Sequence, residues 1–243
     1  MRFQLISCEV LFREMCDAVA HSPHQVDVQF LSKGLHDLGG KAMRAELQKR
    51  IDAADACDAV LMGYALCGNG LHGLEARDVP LVAPRAHDCI ALLMGSRELY
   101  AEFFEANPGT YFRSTGWLER GKGLQQLSMG KSPVGTTLSE LIEKYGEENG
   151  RYLFEEFTRY RQHYRQMTYI ESGLEPDGRF EEQARAEAAE HGWSFTKVRG
   201  SLHWLRQLVN GDWPEHDFVV VPPGGKMVAS FDEQIIRIEG SQS

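Results

Sequence analysis

The stretch Ala59-Val60-Leu61-Met62-Gly63-Tyr64, running on into Ala65-Leu66-Cys67-Gly68-Asn69-Gly70, decides the fold. Its first half is a compact apolar run, too short to form a helix that buries one face. A run that is apolar at every position, not at alternate ones, suits a strand covered on both faces, as in a parallel sheet. Val79-Pro80-Leu81-Val82-Ala83 repeats the pattern and runs on into Pro84-Arg85-Ala86-His87-Asp88-Cys89. In both cases a buried strand ends in glycine or in reactive side chains.

Outward from these two strands, residues 3–7 read as a first buried strand, followed by a helix at 10–20. Residues 26–31 alternate as a strand, and 41–54 are helical in composition. Residues 88–106 read as a helix broken at Gly95-Ser96. Further strands are expected at 110–114, 166–171, 194–198 and 218–221, with helices at 138–145, 151–165, 180–191 and 202–209. Residues 235–238 read as an edge strand or as a loosely ordered tail. Strands alternating with helices predict an α/β protein: a largely parallel, Rossmann-like layered sheet flanked by helices, with a small helical insertion in the middle of the chain. The 243 residues, 42% of them hydrophobic, suffice for a single α/β domain over 1–243. Residues 119–165 are expected to be a loop and helical insertion or lid, because 119–135 are rich in Gly, Lys and Ser.

Composition narrows the function classes. The formal net charge is −9, and no Lys/Arg run offsets it locally, which argues against nucleic-acid binding. The polar start MRFQLISCEV does not read as a signal peptide, and no apolar stretch approaches the ~20 residues that span a bilayer. The expected location is cytoplasmic, without a membrane partner. The five cysteines are an odd number, all within the first 89 residues, which does not suit a secreted disulfide framework.

In open α/β sheets ligands bind at the carboxyl ends of the strands. Cys8, Cys67 and Cys89 each follow a predicted strand and converge if those strands are neighbours. Three thiolates, with His87 or a substrate as fourth partner, would hold Zn²⁺ or an iron–sulfur cluster. Free cysteines also pack well in cores, and none of these spacings is a CxxC pair, so packing and a metal-free thiol remain alternatives. Cys16 and Cys57 read as core thiols. Arg85 could fork an anionic substrate group, and His87 could be a ligand or a general acid/base. Asp88 could orient His87 or cap the helix that follows. Cys89, in the first turn of that helix, is expected to have its thiolate stabilised by the dipole. Glu9 is either a site carboxylate or a first-turn residue. The amides of Gly68, Asn69 and Gly70 could cradle an anion, and Trp117 could wall a pocket. His36-Asp37, Glu171, Arg199-Gly200-Ser201 and His203 are lesser candidates. No HExxH, GxSxG, phosphate-loop or paired CxxC pattern occurs.

At these same segments the chain resembles the domain-of-unknown-function family numbered 1638. The likeness lies in Cys8, the GYALCGNG turn at 63–70, PRAHDCI at 84–90, the stretch at 111–119 with Gly116-Trp117, and VVPPG at 220–224. That family often has proline where this chain has Thr115. Its members are often encoded near corrinoid-dependent methyltransferases of methylamine-type metabolism, so the resemblance implies one-carbon or methyl-transfer chemistry.

The resulting expectation is a metal-dependent enzyme acting on a small molecule at the strand ends. Its catalytic residues would be His87, Asp88, Arg85 and Glu9, and its metal ligands Cys8, Cys67, Cys89 and His87. A corrinoid protein or methyltransferase is the expected partner, and a homodimer follows from base rates. The alternatives are a non-catalytic metal-, corrinoid- or ligand-binding accessory protein, or a metal-free cysteine/histidine enzyme. The corrinoid-binding DxHxxG pattern is not found, which counts against a standard cobalamin carrier.

Overall fold

The structure is a computed structural model that describes residues 1–120, 137–158 and 163–240. Most of the loop expected at 119–135 lies outside the described residues. The chain opens with β1 (Arg2–Cys8), a 3-10 turn at Glu9–Leu11 and α1 (Phe12–Ala20). Then come β2 (Gln25–Leu31), a second 3-10 turn at Lys33–Leu38, α2 (Gly40–Asp52), β3 (Ala59–Gly63) and β4 (Leu81–Pro84). Next are α3 (Cys89–Met94), α4 (Arg97–Ala106), β5 (Thr110–Ser114), α5 (Thr115–Arg120), α6 (Leu138–Tyr145), α7 (Glu147–Thr158) and β6 (Gln166–Glu171). The chain finishes with α8 (Arg179–Glu190), β7 (Ser194–Arg199), α9 (His203–Asn210), β8 (Phe218–Val221), β9 (Met227–Ala229) and β10 (Ile236–Ile238).

The expected α/β architecture with a mostly parallel sheet is present. The main sheet runs in the order β2-β1-β3-β4-β8, parallel except for β8, which pairs antiparallel with β4. Period-two alternation sends Phe3, Leu5, Leu61 and Val82 to one face, where α1, α3 and α9 cover them with Met15, Leu92 and Trp204. Ile6, Cys8, Val60, Met62 and Tyr64 point to the other face, under α2 and the C-terminal hairpin. Both faces are covered, which is why the strands read as unbroken apolar runs.

One expectation is corrected here. The strands do not all share one edge: β5, β6 and β7 form a separate three-stranded parallel sheet with its own core around Met167, Tyr169 and Phe180. The C-terminal strand is an edge strand as expected, but of a two-stranded sheet, where β10 pairs with β9. The helix break at Gly95-Ser96 occurs as expected: Gly95 adopts φ +72° and ends α3, and the Ser96 hydroxyl caps α4 by accepting from the Leu99 amide at 3.2 Å.

The chain passes from the main sheet to the second sheet at Gly95 and returns at Gly200-Ser201. These two passages touch. The Ser201 amide donates to the Leu93 carbonyl at 2.9 Å, and a Cβ on Gly200 would lie 2.6 Å from the same oxygen. At the other side, Gly116 at the start of α5 lies so close to the Val10 carbonyl that a Cβ there would overlap it. An ion pair between Arg13 and Glu119 at 2.7 Å adds to this contact. Among the described residues no helix is long and apolar enough to cross a membrane.

Candidate functional site

The strand order has a consequence for ligand binding. From β1 the chain moves outward to β2, then crosses back over β1 to place β3 on its other side. The connections after β1 and after β3 therefore diverge to leave a crevice between their carboxyl ends, the place where ligands bind in sheets of this order. Cys8 ends β1 and Cys67 follows β3, one on each side of that crevice. Cys89 opens α3 after β4, the next strand along.

Hydrogen bonds carry the pairing of β3 with β4 beyond the strands. The Leu66 amide donates to the Ala86 carbonyl and the Cys67 amide to the His87 carbonyl, both at 2.9 Å. The turn that follows is left-handed at three successive residues: Cys67 (φ 46°), Gly68 (φ 65°) and Asn69 (φ 69°). Only the glycine adopts this conformation without cost, and strained non-glycine residues of this kind gather at functional sites. The Gly70 amide closes the turn on the Leu66 carbonyl at 2.8 Å. Of the expected anion cradle, the Gly70 amide thus already donates within the protein.

The three thiols sense one another. Burial pushes Cys8 up to about 11, with the Glu9 carboxylate adding to the rise. Burial pushes Cys67 up to about 12, and Cys8 and Asp88 add to it. Cys89 is held well above the ordinary thiol value by burial first, then by Cys67, Asp88 and Cys8. The expected dipole stabilisation of a Cys89 thiolate is therefore overturned: desolvation and neighbouring negative groups outweigh a helix of only six residues. Among the described residues, no group of three or more His, Cys, Asp or Glu side chains is arranged to hold a metal ion.

The histidine beside the thiols is His36. Its Nε2 lies 3.7 Å from the Cys8 Sγ, and its ring stacks on Tyr64 with centroids 6.0 Å apart. Glu9 is tied in through its Oε1, which accepts from the Lys33 amide at 2.8 Å. The Lys33 ammonium sits 5.1 Å from the centre of the Trp117 ring. Trp117 packs against the same core cluster as Cys8, Tyr64 and Leu66.

The densest sequence cluster is divided by the fold. The Arg85 guanidinium is buried and donates to the carbonyls of Glu215 (2.8 Å), Phe218 (3.2 Å), Gln234 (3.2 Å) and Ile236. It pins the C-terminal segment to β4, which gives it a structural duty in place of the expected grip on substrate. Asp88 is the N-cap of α3: its Oδ1 accepts from the Ile90 (3.0 Å) and Ala91 (3.2 Å) amides. Its Oδ2 accepts from the Tyr100 hydroxyl at 3.1 Å, so it does not orient His87. His87 is exposed and lines a separate cavity of about 620 Å³ with Ala91, Arg97, Tyr100, Phe104 and His216. Cys16, expected in the core, is exposed, because α1 buries Glu14, Met15 and Ala18 on its other side.

Lys33, His36 and Tyr64 are the site residues that sequence reasoning underweighted or missed. His36 was the one with a signal, since it follows the second predicted strand. A search of family profiles matches residues 30–209 to the family described as "Protein of unknown function (DUF1638)". No curated protein and no solved structure matches the chain.

Proposed function

The chain belongs to the DUF1638 family of proteins of unknown function, and we propose that it is an enzyme acting on a small molecule in the crevice between β1 and β3, with Cys8, Cys67 and Cys89 around a soft metal centre. The observation that carries this reading is the switch in strand order, with Cys8 and Cys67 on its two sides and Cys89 one strand further. Three mutually disfavoured thiols in a dry region fit a site designed for a cation. A bound Zn²⁺ or iron–sulfur cluster compensates the charge that burial and neighbours otherwise penalise. His36, beside Cys8, replaces His87 as the candidate fourth ligand. Loading requires the thiol side chains to turn toward one another, since they do not stand as a ready-made ligand set. Such a centre supplies either a metal-held thiolate for group transfer or an activated water for hydrolysis. The link to methyl transfer and to a corrinoid or methyltransferase partner rests on the resemblance alone and is part of the same proposal.

A metal-free thiol nucleophile is the weaker reading. Burial raises Cys67 and Cys89, and the described contacts include no base hydrogen-bonded to either thiol. Elemental analysis and the ultraviolet–visible spectrum of anaerobically purified protein decide between the two. About one zinc per chain, or iron with sulfide and a brown colour, supports the centre, and Cys8→Ala or Cys67→Ala should then lose the metal while remaining folded. Metal-free wild-type protein that stays metal-free after incubation with zinc, or with iron and sulfide, overturns it.

A further inference from the structure

Two hydrogen-bond donors at the site have no partner among the described residues. Among the described side chains, the Tyr64 hydroxyl and the Trp117 indole nitrogen are buried without a protein partner. Tyr64 is only 1% exposed. An unpartnered buried donor is destabilising, and phenylalanine at either position would avoid that cost. Both side chains pack into one hydrophobic cluster with Cys8 and Leu66. Tyr64 stacks on His36 and has Cys8, Cys67 and Glu9 as charged or ionisable neighbours. Trp117 is brought there by the contact of Gly116 with the Val10 carbonyl, two residues beyond Cys8. Lys33 joins the two, with its ammonium over Trp117, its amide on Glu9 and its charge felt at Cys8.

From this juxtaposition we infer that the substrate carries an oxyanion, a carboxylate or a phosphate, and that the Tyr64 hydroxyl and the Trp117 indole N–H bind it beside Lys33. The indole N–H can only donate, so its partner must be an acceptor. A neutral carbonyl oxygen has lone pairs for both donors but brings no charge to complement the positive field of Lys33. An oxyanion presents several acceptor oxygens with a negative charge, which matches two neutral donors and a cation. The inference rests on the reading of this crevice as a substrate site, but it does not depend on the metal.

The test uses metal-free full-length protein at constant ionic strength, with sodium chloride as the reference and sodium phosphate and sodium acetate as probes. Thermal stability of the wild type should rise saturably with phosphate if the group is a phosphate, and with acetate if it is a carboxylate. Tyr64→Phe should melt at or above the wild-type temperature in chloride, because it removes an orphaned donor, whereas Trp117→Phe also loses packed ring volume and is read by its anion affinity. Each should also bind the effective anion about tenfold more weakly, the loss expected for one hydrogen bond. If one variant does not fold, the other is read in the same way. The indole N–H resonance that disappears in Trp117→Phe should shift on titration of the wild type with the effective anion. Absence of any anion effect on wild-type stability and on that resonance overturns the inference, as does anion binding left unchanged in both variants. Zinc loading without anion binding leaves the metal centre standing and removes this inference, and anion binding without metal does the reverse.

Discussion

Arg85 donates through Nε to the Glu215 carbonyl at 2.8 Å, so an arginine at the end of β4 is held by backbone far along the chain. The same guanidinium also reaches Gln234 and Ile236, which brings the segment around β10 under the control of one side chain. Replacing Arg85 with Met should leave several buried carbonyls without a donor. The expected loss is roughly 3 kcal/mol, or about 6–12 °C in Tm for a chain of this size. Hydrogen exchange should accelerate first in residues 226–239. Zinc content, measured below the new melting temperature, should not change. A variant as stable as wild type that has lost its metal or its anion affinity would return Arg85 to the site.

Glu14 is fully buried in α1, and neither carboxylate oxygen has a hydrogen-bond partner among the described residues. Burial raises its pKa, and Glu175 nearby adds to the rise. A carboxyl raised in the folded state favours the protonated fold. Its contribution is full below the usual glutamate value of 4.5 and is lost as pH climbs through the raised one. Glu14→Gln keeps the shape without the charge. It should therefore match wild type in acid and become the more stable protein toward neutral pH. Melting curves of both proteins across that range check this, and parallel curves would count against a charged, buried Glu14.

The cysteines should differ in reactivity according to exposure and thiolate content. Cys16 is exposed, whereas Cys8 is buried and Cys67 and Cys89 are only partly exposed. In metal-free native protein, iodoacetamide should label Cys16 first near neutral pH. Labelling of Cys8 and Cys67 should remain slow until pH approaches about 11 and about 12, respectively. Peptide mass spectrometry after timed quenching gives the order. Rapid labelling of Cys67 or Cys89 at neutral pH would favour the metal-free thiol enzyme instead.

The main sheet was legible in the chain because strands covered on both faces leave an unmistakable apolar run, as at residues 59–64. The partition into two sheets was not, since Thr110–Ser114 and Gln166–Glu171 have ordinary strand composition and their pairing is decided by contacts distant in sequence. Cys8, Cys67 and Cys89 could be read as strand ends, but only the order β1-β3-β4 makes them neighbours. His87 drew attention because it sits within a reactive pentapeptide, yet the fold turns it to another cavity. His36 comes to Cys8 from the turn after β2, through the pairing of β1 with β2. Arg85 shows the same limit: a guanidinium at a strand end looks like an anion trap until its carbonyl partners, supplied by the last part of the chain, are known.

The contact between Leu93 and Ser201 also says how this architecture is assembled. The exit and the re-entry of the polypeptide lie against each other, and the elements on both sides of the gap, α3 and α9, pack on the same face of the main sheet. The β5-β6-β7 sheet is therefore a guest whose chain enters and leaves its host through a single doorway, with a second contact where Gly116 meets Val10 and Arg13 pairs with Glu119. A short turn joining Met94 to Leu202 would restore the continuity of the host, and the guest could in turn be grafted into another scaffold whose chain offers two ends so close together.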